Sequence, residues 1–256
     1  MTARRKKQRL SAEESRERLI EAGVTSLGEQ GLAIGLDAVN LEQAVRDTSV
    51  PRSSAYAAWS VEGEFSPQEA FQRAVLMRAV ETRRDSVDNL MAQVGDFLSN
   101  PPAGLTGRAL LRELIRVGGN YNLASVVNSR PWKIVFSMRS IVNTTSQEQQ
   151  DEELLEWMAA NEIELRLQTI ETLYKPMAEI FGFRPRPEFG ERAWHLIEIA
   201  HSALVEGLAM RMSTYASDYF EGLVHPDQSA GEANWSIYAL LFERSVNVFF
   251  EFLEDE

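Results

Sequence analysis

The chain has 256 residues, 44% of them hydrophobic, and a net charge of −12. The absence of cysteine excludes disulfides and thiolate metal sites and fits a reducing cytoplasm. No apolar run approaches the ~20 residues of a membrane span, and no apolar stretch of the secretory kind follows the basic N-terminus, so neither membrane insertion nor export is expected.

Residues 1–10 carry Arg4, Arg5, Lys6, Lys7 and Arg9. Such an arm suits a minor groove or a row of phosphates, and equally a solubilising tail. Residues 1–60 hold nine Lys/Arg against eight Asp/Glu, a net of +1, so the remainder carries −13. A basic arm on a near-neutral head with an acidic body behind it suits a protein that meets DNA by one end.

The first helix starts at Ser11, where Ser11 and Glu14 form a capping box, and buries Leu19, Ile20, Ala22, Gly23, Val24 and Leu27. A second capping box, Asn40 with Gln43, opens a short helix with Leu41, Ala44 and Val45 on its apolar side. Asp47-Thr48-Ser49 breaks that helix, Val50 plugs the turn, and Pro51 fits the start of the next helix. This next helix carries Arg52, Ser53, Ser54 and Tyr56, with Ala55 and Trp59 on its apolar side. Two short helices joined this way read as a helix-turn-helix, whose second helix fits a major groove about 12 Å wide. An ordinary helical hairpin is the competing reading of the stretch. Ser66-Pro67-Gln68-Glu69 then caps a helix carrying Ala70, Phe71, Ala74, Val75 and Met77, which is expected to run, with or without a break, to Leu98.

In their order, these features resemble the tetracycline-repressor (TetR) family of transcriptional regulators. The resemblance covers about the first 75 residues: Glu17 to Gly31, then the cap, short helix and turn, then Tyr56-Ala57-Ala58-Trp59, then Ser66 to Phe71. It implies DNA contact by Arg52, Ser53, Ser54 and Tyr56, with Asn40 and the N-terminal arm on phosphates. It also implies a homodimer and a small-molecule effector bound in the larger domain. The chain departs from the family pattern at Ser49 and Ser53, where the family usually has Gly, at Gln68, where it has a phosphate-contacting lysine, and in long segments at 31–39 and 60–65.

Asn100 to Gly104 is a clear break. The helix from Thr106 holds Leu110, Leu111, Leu114, Ile115 and Val117, and Gly118-Gly119 should weaken or bend it. Pro131 starts a helix with Trp132, Ile134, Val135, Phe136 and Met138. Ser146 with Gln149 caps a long helix that ends at Gly182 to Pro187. Two last helices, Glu188 to about Tyr215 and Asn234 to about Leu253, are apolar over more than half their circumference. A helix apolar on two sides is either central in a large domain or buried against another chain. At this chain length the favoured reading is a second copy in a four-helix bundle, through Leu196, Ala200, Leu204, Leu208, Leu241 and Phe249.

For chemistry, Glu198 and His201 match one half of a di-iron carboxylate motif, but His195 and His225 lack the Glu needed for a second pair. No phosphate loop, nucleophile elbow or paired carboxylates are recognisable, so neither a metal, a cofactor nor catalysis is expected. Tyr121, Trp132, Phe136, Trp157, Tyr174 and Trp194, with His201, sit on helices able to surround an effector cavity, although each aromatic also reads as plain core.

The expectation is therefore an all-α chain. Residues 1–65 would be an arm and three-helix helix-turn-helix domain, and residues 66–256 a helical ligand-binding and dimerisation domain. Its function would be that of a ligand-responsive dimeric repressor released from a palindromic operator on double-stranded DNA. The alternative is an all-α partner module whose helix-turn-helix no longer binds DNA.

Overall fold

The computed structural model describes residues 10–30, 39–59, 65–82, 84–129, 131–136, 152–212, 215, 220–224 and 233–253. Arg4, Arg5, Lys6, Lys7, Arg9, Met138, the Ser146–Gln149 cap and His225 lie outside them. The fold is all-α, with two small antiparallel ladders among the described residues. The chain divides into two compact units, one drawn from Met1–Thr82 and Lys133–Leu155, the other from Arg83–Trp132 and Glu156–Glu256.

In the first unit, α1 (Ala12–Gln30) packs on α2 (Leu41–Thr48), α3 (Arg52–Trp59) and α4 (Pro67–Glu81). The expected division before Ser66 would place α4 in the larger domain, whereas the compact unit includes it. Local sequence sets the helix starts. Ser11 and Glu14 bond each other's backbone N–H groups, and so do Ser66 and Glu69. At α2 only half of the expected box forms. Asn40 Oδ1 accepts from the Gln43 N–H at 3.1 Å, but the Gln43 side chain turns outward to Arg46 and Asp47. The amide of Gln68 does the remaining work, accepting from the Leu41 N–H at 2.9 Å and donating to the Val39 carbonyl. Gln68 is thus a clamp on the N-terminus of α2. A lysine, with donors only, could not accept the Leu41 N–H.

Leu19, Leu27, Leu41, Val50, Ala55, Trp59, Phe71 and Val75 close the core of this unit. Trp59 meets Phe71 edge-on at 5.6 Å and lies under the Arg16 guanidinium at 4.2 Å. Helices α1 and α4 approach closely at Gly23, where a Cβ would stand 2.5 Å from Val75 Cγ2. The turn between α2 and α3 holds Ser49 at φ 56°, ψ 22°, the left-handed conformation that glycine adopts most easily.

In the second unit, α6 (Gly107–Asn128) packs against α5 (Arg84–Ser99), α10 (Arg192–Met212) and α11 (Ile237–Phe249). The helix that began with α4 ends at Glu81, and α5 starts anew at Arg84. Gly118-Gly119 does not break α6. Gly119 is buried where α6 meets α11, and a Cβ there would lie 2.9 Å from that of Ala239. The cost of glycine in a helix is therefore offset by a close helix crossing. A short helix, α7, spans 131–136, and its residues from Lys133 onward group with the first unit. The long helix expected next consists of α8 (Glu152–Thr169), a single π-helical turn (Ile170–Tyr174) and α9 (Lys175–Phe181).

The last helix is shorter than expected. At Phe250 the chain becomes extended, and β4 (Phe250–Phe252) pairs with β1 (Phe183–Pro185), Phe183 opposite Phe252. Phe183, Phe250 and Phe252 are all buried, which explains why an apolar run here forms a strand after α11 ends. The second ladder pairs β2 (Leu223–Val224) with β3 (Ala233–Trp235).

Candidate functional site

Two places gather the side chains singled out from the sequence, one in each unit. In the first unit, α3 buries Ala55 and Trp59 and turns its other face outward. Arg52 and Ser53 are exposed, and Ser54 and Tyr56 are half-buried. The oxygen of Asn40 is committed to capping α2. Sequence reading missed Glu42. Its Oε1 lies 2.8 Å from Arg52 Nη2 and accepts a short hydrogen bond from the Tyr56 hydroxyl. The Arg52 guanidinium also stands 5.6 Å from the Tyr56 ring centre. The Tyr56 hydrogen bond, with the charge of Arg52 and of Arg46 behind it, holds the Glu42 carboxyl below the usual carboxylate range. The same cluster raises the Arg52 pKa. One carboxylate thus gathers two of the four side chains expected on DNA.

In the second unit, a cavity of about 150 Å³ opens among α5, α6, α8, α10 and α11. Leu111, Leu114, Ile115, Ile197 and Val246 give it apolar walls. Of the aromatic and histidine residues expected around an effector, Trp132, Tyr174, Trp194 and His201 line it, whereas Tyr121, Phe136 and Trp157 are not among its lining residues. The π turn ends at Tyr174, whose hydroxyl reaches His201 Nδ1 at 2.9 Å. His201 Nε2 lies 2.9 Å from Ser245 Oγ, which itself donates to the Phe242 carbonyl. The serine oxygen is then an acceptor for His201, so the ring carries its proton on Nε2 and Tyr174 donates to Nδ1. Burial holds His201 well below its ordinary pKa and Tyr174 well above its own.

Sequence reading also missed Tyr238, Asn122 and, in its actual role, Glu198. Asn122 Nδ2 donates to the Tyr238 hydroxyl at 3.1 Å, and burial pushes Tyr238 up to about 12. These two residues are 116 apart in the chain, so no local pattern announces the pair. Glu198, read from sequence as half of a metal motif, accepts from Ser202 at 2.7 Å. Its other oxygen lies 2.7 Å from Arg166 Nε, an ion pair without the alignment of a hydrogen bond. Among the described residues no group of three His, Asp or Glu gathers as a metal site.

No family model, curated protein or solved structure matches this chain. The geometry of the two sites is therefore the ground for a functional reading.

The apolar excess of α10 and α11 is partly outward. On α10, Ile199 and Met210 are exposed, and Leu196, Ala200 and Leu204 are half-buried, while Leu208 is taken up by its own chain. On α11, Leu241 and Val248 are exposed, and Phe249 packs edge-on against Phe189 at 5.3 Å. Among the described residues no helix is long and apolar enough to cross a membrane.

Proposed function

We propose that the chain is a homodimeric transcriptional regulator of the tetracycline-repressor kind, a repressor that a small molecule releases from a palindromic DNA operator. Residues 1–65 would hold the DNA-binding head and 66–256 the ligand-binding and dimerisation body. The observation that carries this reading is the outer face of α3, which follows a three-residue turn and offers Arg52 and Ser53 to solvent while Ala55 and Trp59 anchor it below. A helix anchored on one side and polar on the other suits a major groove. The cavity with its Tyr, His and Asn groups supports an effector site. The exposed apolar residues Ile199 and Met210 on α10 and Leu241 and Val248 on α11 support a second copy, which would set two recognition helices about 34–36 Å apart. Effector binding releases DNA only in proportion to its differential affinity for the two states of the dimer.

The test is fluorescence anisotropy with duplex DNA from upstream of the protein's own gene, titrated in salt. Sequence-preferring binding with a steep negative log–log slope is expected, because each neutralised phosphate releases counterions. Arg52→Ala should weaken binding and leave the dimer intact. A second reading, a partner module that has lost DNA binding, is favoured by the hold of Glu42 on Arg52 and Tyr56 and by the structural use of Gln68. A folded dimer that binds no duplex at low salt would establish it.

A further inference from the structure

The cavity carries enough chemistry to name the class of molecule it takes. Its volume, about 150 Å³, is that of a pocket that holds one benzene-sized ring. The polar groups around it are mostly engaged with one another. His201 uses both ring nitrogens, Glu198 is paired with Arg166 and Ser202, and Ser245 donates to a backbone carbonyl. Tyr238 differs. Its oxygen accepts from Asn122, and among the described residues its own proton has no acceptor. A buried O–H without an acceptor costs free energy that a ligand oxygen recovers on binding.

Charge narrows the class further. The charged residues lining the cavity are Glu162 and Glu198, with no cationic side chain among them. An anion entering here would lose its hydration and meet carboxylates instead of a partner. A cation would have to compete with Arg166 for Glu198, which is already paired.

We infer that the cavity binds an uncharged single-ring molecule bearing one hydrogen-bond-accepting oxygen, of the aryl ketone class, with that oxygen on the Tyr238 hydroxyl. The ring lies among Leu111, Leu114, Ile115 and Val246, and Tyr174 and Trp194 close the aromatic side. This inference deepens the reading of the cavity as an effector site and does not require that the chain bind DNA.

The experiment is calorimetric titration of the full chain, without DNA, against four probes of one shape. Acetophenone supplies ring and acceptor, ethylbenzene the ring alone, benzoate a negative charge and benzylamine a positive one. Acetophenone should bind about three- to tenfold more tightly than ethylbenzene, the range expected for one hydrogen bond, with neither ion bound measurably. Tyr238→Phe should erase the preference for acetophenone and keep the binding of ethylbenzene, in a variant whose near-ultraviolet circular dichroism matches the parent. Equal affinity for acetophenone and ethylbenzene, tighter binding of either ion, or no binding of any probe overturns the inference. The wild-type comparison stands whether or not the variant folds. A chain that binds acetophenone but no duplex would keep this inference and remove the proposed function. Duplex binding without acetophenone binding would do the reverse.

Discussion

Glu42 bonds the Tyr56 hydroxyl and lies 2.8 Å from Arg52, so it governs what α3 offers to a partner. An exposed pair of this kind is screened by solvent and contributes little, so the clasp can be opened by a competing phosphate. Glu42→Gln removes a negative charge beside that phosphate and frees Arg52. It should tighten duplex binding by roughly two- to fivefold at low salt, read by anisotropy. Weaker binding would instead make Glu42 the residue that aims Arg52. Ser49 sits at φ 56°, where a side chain is strained by about 1 kcal/mol. Ser49→Gly should therefore raise the thermal midpoint of unfolding, less a part lost to the greater freedom of glycine in the unfolded chain. His201 gives a pH signature. Burial keeps it neutral when folded, so the unfolded chain binds the extra proton. Its contribution is complete above the ordinary value of 6.5 and falls away as pH drops below that, by at most about 1.4 kcal/mol per unit. Urea midpoints between pH 7.5 and about 5.5 should show this slope, and His201→Gln should flatten it; an unchanged slope would assign it to other groups.

At the scale of the element, what was legible in the sequence was what is local. Ser11 with Glu14 and Ser66 with Glu69 cap their helices as three-residue spacing predicts, and Asn100 to Gly104 separates α5 from α6. What was illegible depends on residues far away in the chain. Gly119 looks like a helix breaker until Ala239 is seen against it, and Phe250–Phe252 reads as helix until Phe183–Pro185 comes alongside. Glu198 matched half of a metal motif only through its spacing to His201, while its actual partner, Arg166, lies on another helix and leaves no local trace. Gly23 tests the same logic. An Ala there would push a methyl into Val75 and Phe71, both fully buried, and should cost about 1–3 kcal/mol by overpacking. Chemical denaturation would measure it, and a neutral result would mean that α1 and α4 can separate freely. The π turn is the other long-range feature. It adds a residue to a helical turn just where Tyr174 reaches His201, at a kind of irregularity frequent at functional sites.

At the scale of the whole molecule, the charge division visible in the sequence separates a near-neutral head from an acidic body. The all-α class was legible because neither strand alternation nor hairpin signals compete with it. The division into units was less so, since α4 and residues 133–136 group with the first unit, which sequence order does not reveal. The outward face of α10 and α11 belongs to this scale. In the proposed dimer, Ile199→Glu should place a charge among the exposed apolar residues and shift the chain to monomer in sedimentation. An unshifted dimer would place the interface elsewhere. Paired copies would also make the number of chains in the cell a control variable. Melting temperature would climb on concentrating the protein, and operator occupancy would rise with the square of chain concentration when monomers predominate. A modest change in synthesis would then switch a promoter more sharply than a monomeric binder can.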